Sequence, residues 1–242
     1  MVEDARGSIR NNVREIRERV SSAAGRAGRD AGGITIIGVS KFQPLELMYY
    51  ALECGITLFG ENRVQERAEK AAGWNGGPAV WHMIGRLQRN KVRKAVGLFS
   101  CIQSIDGYEL AASVDRVMRE RIESGEETRG RYPVMIEVNT SNELSKGGVE
   151  PGECVNLAQK IVSECPLLSV EGLMTIGPLG GGESETKASF GLLGRLAASV
   201  RDRCGIDVPH LSMGMSGDFE AAIEEGSTMV RIGTGIFGAR HF

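Results

Sequence analysis

The chain has 242 residues, 41% hydrophobic and 25% charged, with a formal net charge of -2, so no positive field recommends nucleic acid as a partner. Its charged opening segment, MVEDARGSIRNNVREIRERV, and the lack of any run of about 18 apolar residues argue against a secretion signal and a membrane span. The cysteines Cys54, Cys101, Cys154, Cys165 and Cys204 form no C-x-x-C pair and His82, His210 and His241 are scattered, so reduced thiols in a metal-free cytoplasmic protein are expected.

Ile9, Val13, Ile16 and Val20 follow one another at helical spacing, which predicts a helix laid on the outside of the fold. From there strands and helices alternate. The first predicted strand, ITIIGV, ends in Ser40 and Lys41 and leads into a helix punctuated by Pro44 and Gly55. The second, ITLFG, delivers Glu61, Asn62 and Arg63, then RVQERAEKAA reads as helix. VWHMIG carries His82 and precedes LQRNKVRKAV, and LFSCIQ precedes GYELAASVDRVMRERIES. PVMIEVN ends on Asn139, before PGECVNLAQKIVSEC. LLSVEGLM ends on Met174, followed by Thr175, the flexible-looking loop GPLGGGESE and the helix KASFGLLGRLAASVRDRCG. PHLSMG supplies Ser212, Met213 and Gly214 before GDFEAAIEEG, and TMVRIG supplies Arg231, Gly233 and then Thr234.

Eight apolar strands separated by helices predict an all-parallel sheet, and this length suits a single (β/α)8 barrel domain over residues 1–242 with one extra N-terminal helix. An open doubly wound sheet is the rival. In such barrels the chemistry sits where strands end, and loops seven and eight often cradle phosphate with backbone N–H groups. Both loops here supply glycines and hydroxyls. The literal G-x-G-x-x-G from Gly233 to Gly238 is rejected as a dinucleotide fingerprint, because no further strand with its acidic residue follows. A lysine at the barrel mouth is shielded from water, which favours a neutral, nucleophilic amine. Lys41 beside a phosphate cradle therefore suits a Schiff base with a phosphorylated carbonyl compound: a sugar phosphate, as in Schiff-base aldolases, or pyridoxal 5'-phosphate (PLP). The bland alternative is a lysine paired with Glu61.

The ordered set GVSKFQP, FGENRVQE, WHMIGRLQRNK, SKGG, GLMTIGP and LSMGMSGDFEAAIEEGSTMVRIGTGIFGAR spans almost the whole chain. Together these stretches closely resemble the pyridoxal phosphate homeostasis protein family, relatives of the alanine racemase N-terminal barrel. The resemblance implies a fold-type III PLP barrel with the cofactor linked covalently to Lys41. It implies that Ser212, Gly233 and Thr234 hold the phosphate, Arg231 faces the pyridine nitrogen and Asn62 lies near the ring. His82, Asn139, Met174, Met213 and Gly214 are expected around the pocket. Arg86 departs from the usual residue in the family's IGxLQ stretch. The resemblance implies a protein that binds PLP and regulates its free level, with transfer to apo-enzymes as a further potential role.

The alternative is an enzyme, either a weak amino-acid racemase or a Schiff-base aldolase. Racemisation needs a second base. The racemase takes it from a tyrosine of a further domain, whereas Tyr49, Tyr50, Tyr108 and Tyr132 are expected here in helices or a surface loop, so a carrier is the favoured reading.

Overall fold

The computed structural model describes residues 2–143 and 145–238. His241 and the last two residues of the GTGIFGAR stretch lie outside the described residues. The strands are β1 (Thr35–Val39), β2 (Leu58–Glu61), β3 (Val80–Met83), β4 (Cys101–Ile105), β5 (Tyr132–Glu137), β6 (Leu168–Met174), β7 (His210–Met215) and β8 (Met229–Ile232). Each pairs in parallel with the next, and β8 pairs with β1, so the sheet closes into a barrel in chain order. The outer layer is α2 (Leu45–Glu53), α3 (Val64–Gly73), α4 (Val92–Leu98), α5 (Tyr108–Glu123), α6 (Cys154–Glu164), α7 (Glu183–Cys204) and α8 (Phe219–Glu224). Helix α1 (Val2–Arg26) precedes the barrel, and α9 (Thr234–Phe237) is a single turn after β8.

Where the elements differ from the sequence expectation, local chemistry explains it. Leu98 looks strand-like but ends α4, and the Phe99 N–H still reaches the Ala95 carbonyl. Helix α7 starts at Glu183, inside the expected loop, because Glu183 and Glu185 suit the positive end of a helix and Glu183 pairs with Lys187 one turn on. Tyr132 is not in a surface loop: it opens β5, fully buried, and its hydroxyl donates to the Phe99 carbonyl at 2.8 Å.

The strands are buried on both faces, as a parallel sheet under helices requires. Ile37, Cys101, Met135 and Met229 turn inward and form an apolar floor in the lumen. Two residues further along the same strands, the period-two alternation brings Val39, Gln103, Glu137 and Arg231 to the mouth. The lumen thus changes from apolar to polar on approaching the strand ends. Outside, Ile9, Val13, Ile16 and Val20 of α1 are all buried, and α1 contacts α2, α8 and α9. Asn12 donates to the Ile236 carbonyl at 2.9 Å, so the first helix braces the turn that follows β8.

Candidate functional site

A cavity of about 270 Å³ opens at the strand ends between the β1 side and the β7–β8 side of the barrel. Lys41, Asn62, Arg231, Gly233 and Thr234 line it, so five of the eleven candidate residues come together there. Val39, Ile84, Ile176 and Met215 supply apolar wall, and Gln43, Ser216 and Gly217 add polar groups the sequence reading did not single out.

On the β7–β8 side the cradle is mostly backbone. Among the described residues, no hydrogen bond uses the backbone N–H of Ser216, Gly217, Gly233 or Thr234. The Ser216 hydroxyl accepts from the Gly235 N–H at 3.2 Å and ties loop seven to loop eight. A Cβ built on Gly217 meets nothing within 4 Å, and one on Gly233 meets the Val39 Cβ at 3.5 Å. The two glycines therefore leave room beside free donors, the arrangement that suits a phosphate.

Ser212 sits beneath this cavity rather than in its lining. Strand β7 slips register between Ser212 and Met215, which carries the strand end past Gly214 and brings Ser216 to the mouth. Ser212 instead belongs to a hydrogen-bonded chain across the lumen. Arg231 donates through Nη1 to the Ser212 carbonyl at 2.6 Å and hydroxyl at 2.9 Å, and through Nη2 to the Thr175 carbonyl at 2.7 Å. The Ser212 hydroxyl donates to Gln103 Oε1 at 2.7 Å, and Gln103 Nε2 lies 2.7 Å from His82 Nδ1. An amide N–H donates, so His82 accepts at Nδ1 and is neutral. Burial pulls its pKa down to about 4, with His210 adding to the effect. Burial also lowers Arg231 to about 10, which leaves it charged at neutral pH. Gln103 is a missed residue with a legible signal: a polar side chain two places after inward-facing Cys101.

The other four candidates also lie off the lining. Met213 points into the core shared with the helices. Gly214 has φ +93, and a Cβ there would stand 2.6 Å from the Ala222 Cβ, so close approach to α8 explains this glycine. Asn139 donates to the Glu143 carbonyl at 3.0 Å and shapes its own loop. Met174 is buried at the end of β6. Loop six is anchored to that same loop: Lys146 donates to the Gly177 carbonyl at 2.6 Å and the Leu179 N–H to Glu143 Oε1.

On the β1–β2 side, Lys41 is half-buried and among the described residues makes no ion pair. The pairing with Glu61 does not form, because Glu61 accepts from Lys70 Nζ at 2.5 Å and from the Ser40 hydroxyl at 2.7 Å. Burial pushes the Glu61 carboxyl above its ordinary range, against the pull of Lys70. Asn62 Oδ1 is buried with no partner among the described residues. The Asn62 backbone is approached so closely by Gly85 that a Cβ there would lie 2.5 Å from its carbonyl oxygen. Across the barrel, burial raises the Glu137 carboxyl to about 7, with Asp106 adding to the rise and Arg231 opposing it.

A larger groove of about 1260 Å³ runs outward from Asn62 over α3, the turn before α4 and the start of α5. Arg86 lies there, mostly exposed and 3.7 Å from Asp106. Neither Lys41 nor the loop seven and eight donors line this groove, so the smaller cavity is the one that gathers the candidate groups.

Residues 6–241 match the family model described as alanine racemase, N-terminal domain. A pyridoxal phosphate homeostasis protein of Aquifex aeolicus is 40% identical over 226 residues, covering 93% of this chain and 95% of the relative. PipY of Synechococcus elongatus PCC7942, solved with PLP bound, is 34% identical with a TM-score of 0.77, over 92% of this chain and 100% of that one. Alanine racemase of Corynebacterium glutamicum shares the fold at 16% identity and a TM-score of 0.68, over 97% of this chain and 62% of the racemase.

Proposed function

This chain belongs to the pyridoxal phosphate homeostasis protein family, built on the alanine racemase N-terminal barrel, and we propose that it binds PLP in the cavity between Lys41 and loops seven and eight. The carrying observation is convergence: one primary amine, one buried arginine and four residues whose backbone N–H groups have no partner among the described residues line a single small cavity. When bound, PLP presents an aldehyde, a ring nitrogen and a phosphate, and each has a counterpart there. Lys41 Nζ would hold the aldehyde carbon, the carbonyl oxygen being lost as water with no change of oxidation state. Ser216, Gly217, Gly233 and Thr234 take the phosphate, and Arg231 meets the ring nitrogen. Its lumen-side N–H groups are occupied by Ser212 and Thr175, and among the described residues no hydrogen bond uses its Nε. Asn62, with its unpaired Oδ1, stands beside the ring. Of the residues first expected at the phosphate, Ser212 acts one step back, by holding Arg231.

The protein carries and buffers the cofactor, with no catalytic turnover of its own. The cavity lining supports this reading, since among the described residues it holds no histidine, tyrosine, cysteine or carboxylate beside its lysine to move a proton at the opposite face of a substrate. Arg231 has no proton to yield to a ring nitrogen, which keeps the ring a weak electron sink. Release to apo-enzymes in the cytoplasm completes the role. Among the described residues no helix is long and apolar enough to cross a membrane. Borohydride treatment of the PLP-loaded protein, followed by peptide mass analysis, tests the site: added mass on the Lys41 peptide is expected, and mass elsewhere contradicts it. Chiral analysis of amino acids incubated with the loaded protein tests the role, where steady accumulation of a D-enantiomer makes it a racemase.

A further inference from the structure

Lys41 stands in a turn that the barrel does not hold by itself. The Gln43 N–H closes it by donating to the Ser40 carbonyl at 3.0 Å, which makes Lys41 the second residue and Phe42 the third. Phe42 has φ +62, a left-handed conformation that third turn positions normally give to glycine, and its side chain is 57% exposed. Something outside the turn must over-determine this conformation.

That support comes from one face of α3. Lys70 Nζ donates to the Ser40 carbonyl at 2.5 Å and to Glu61 Oε1 at 2.5 Å, and the Ser40 hydroxyl donates to the same carboxylate oxygen. Glu66, one helical turn before Lys70, accepts from the Phe42 N–H at 3.1 Å. Arg63 lies 5.5 Å over the Phe42 ring. Both neighbours of Lys41 are therefore gripped from behind the barrel wall, by groups that do not line the cavity, Arg63 and Glu66 lining the outer groove instead. Lys70 is 9% exposed and Glu61 fully buried, so the pair is desolvated, and a surface ion pair is the wrong comparison.

We propose that Lys70, with Glu61 and Glu66, is a positioning residue for Lys41: a buried charge frame behind the barrel wall sets the turn from which the amine reaches a bound aldehyde. This rests on the reading of the cavity as a PLP site. It makes covalent capture depend on α3, while phosphate and ring contacts depend on β7, β8 and their loops.

The test compares PLP with pyridoxamine 5'-phosphate, which shares the ring and phosphate but has no aldehyde to condense with an amine. The ratio of their affinities reads Lys41 alone. Lys70→Met keeps length and removes the charge; Lys70→Met with Glu61→Gln removes both charges and avoids an uncompensated buried carboxylate. In both variants the preference for PLP is expected to fall by about tenfold or more, the size of a lost hydrogen bond from a charged group. Affinity for pyridoxamine 5'-phosphate should stay within about twofold, and borohydride-trapped Lys41 should fall in parallel. An unchanged preference in the folded double variant, or an equal loss for both ligands, overturns the positioning role. A wild-type protein with no trapped mass on Lys41 overturns the cavity reading itself, and this inference with it.

Discussion

The two flanks of the cavity are built from different materials. The β1–β2 flank is made of charges: Lys70, Glu61 and Glu66 hold a strained turn that carries Lys41. Among the described residues, the β7–β8 flank is made of backbone, hydroxyls and amides: unpaired N–H groups at Ser216, Gly217, Gly233 and Thr234 above the neutral chain from His82 through Gln103 to Ser212, with Arg231 its one charge. A phosphate needs donors fixed in advance, which glycine-rich backbone supplies at no cost in buried charge. An amine that must approach, condense and later let go needs a defined starting position more than a tight grip. On the proposed reading, the difference makes affinity and covalent capture separable, each resting on its own flank.

The largest effect on the backbone flank should come from Gln103→Leu. It strands the Ser212 hydroxyl and His82 Nδ1 in the lumen, and a loss of about 3 kcal/mol in unfolding free energy is expected from chemical denaturation. A change below about 0.5 kcal/mol would mean the chain is not a unit.

Glu137, on β5 across the barrel from β1, sharpens the comparison by pH. Its folded pKa of about 7 lies above the ordinary 4.5, so the folded protein holds this proton more tightly than the unfolded chain. Its contribution to stability is full below about pH 4.5 and falls as pH rises through 7, by about 3 kcal/mol in all. Glu137→Gln should flatten this decline and leave the variant more stable than wild type at pH 8. Parallel pH profiles for the two proteins would contradict it.

A smaller effect, about tenfold in affinity, is expected for Thr234→Val, which removes one hydroxyl from the phosphate cradle. PLP and pyridoxamine 5'-phosphate should weaken together, leaving the preference between them unchanged. That is the converse of the Lys70→Met result, and a selective loss of PLP would erase the division between the flanks.

Much of this was legible in the sequence, for identifiable reasons. Eight apolar runs punctuated by helices admit few folds, and a lysine directly after the first strand is conspicuous. Gly233, Thr234 and Arg231 follow from the last strand's alternation. Ser216 was obscured by the irregular register of β7: in LSMGMSG two serines stand four apart, and the strand's end decides which one reaches the mouth. Lys70 was obscured by its setting, since ERAEK on a helix reads as a solvated charged face. Its burial follows from a tertiary contact with the Ser40 carbonyl, which has no signature in sequence. Phe42 likewise occupies a glycine-like conformation that its identity conceals.

The most direct test of the central claim is borohydride reduction of the PLP-titrated protein beside Lys41→Ala, read by absorbance and intact mass. One PLP mass is expected on the wild-type chain and none on the variant, while the variant still binds pyridoxamine 5'-phosphate through the intact backbone flank. Equal trapped mass on both proteins, or loss of pyridoxamine 5'-phosphate binding in a folded Lys41→Ala, would contradict it.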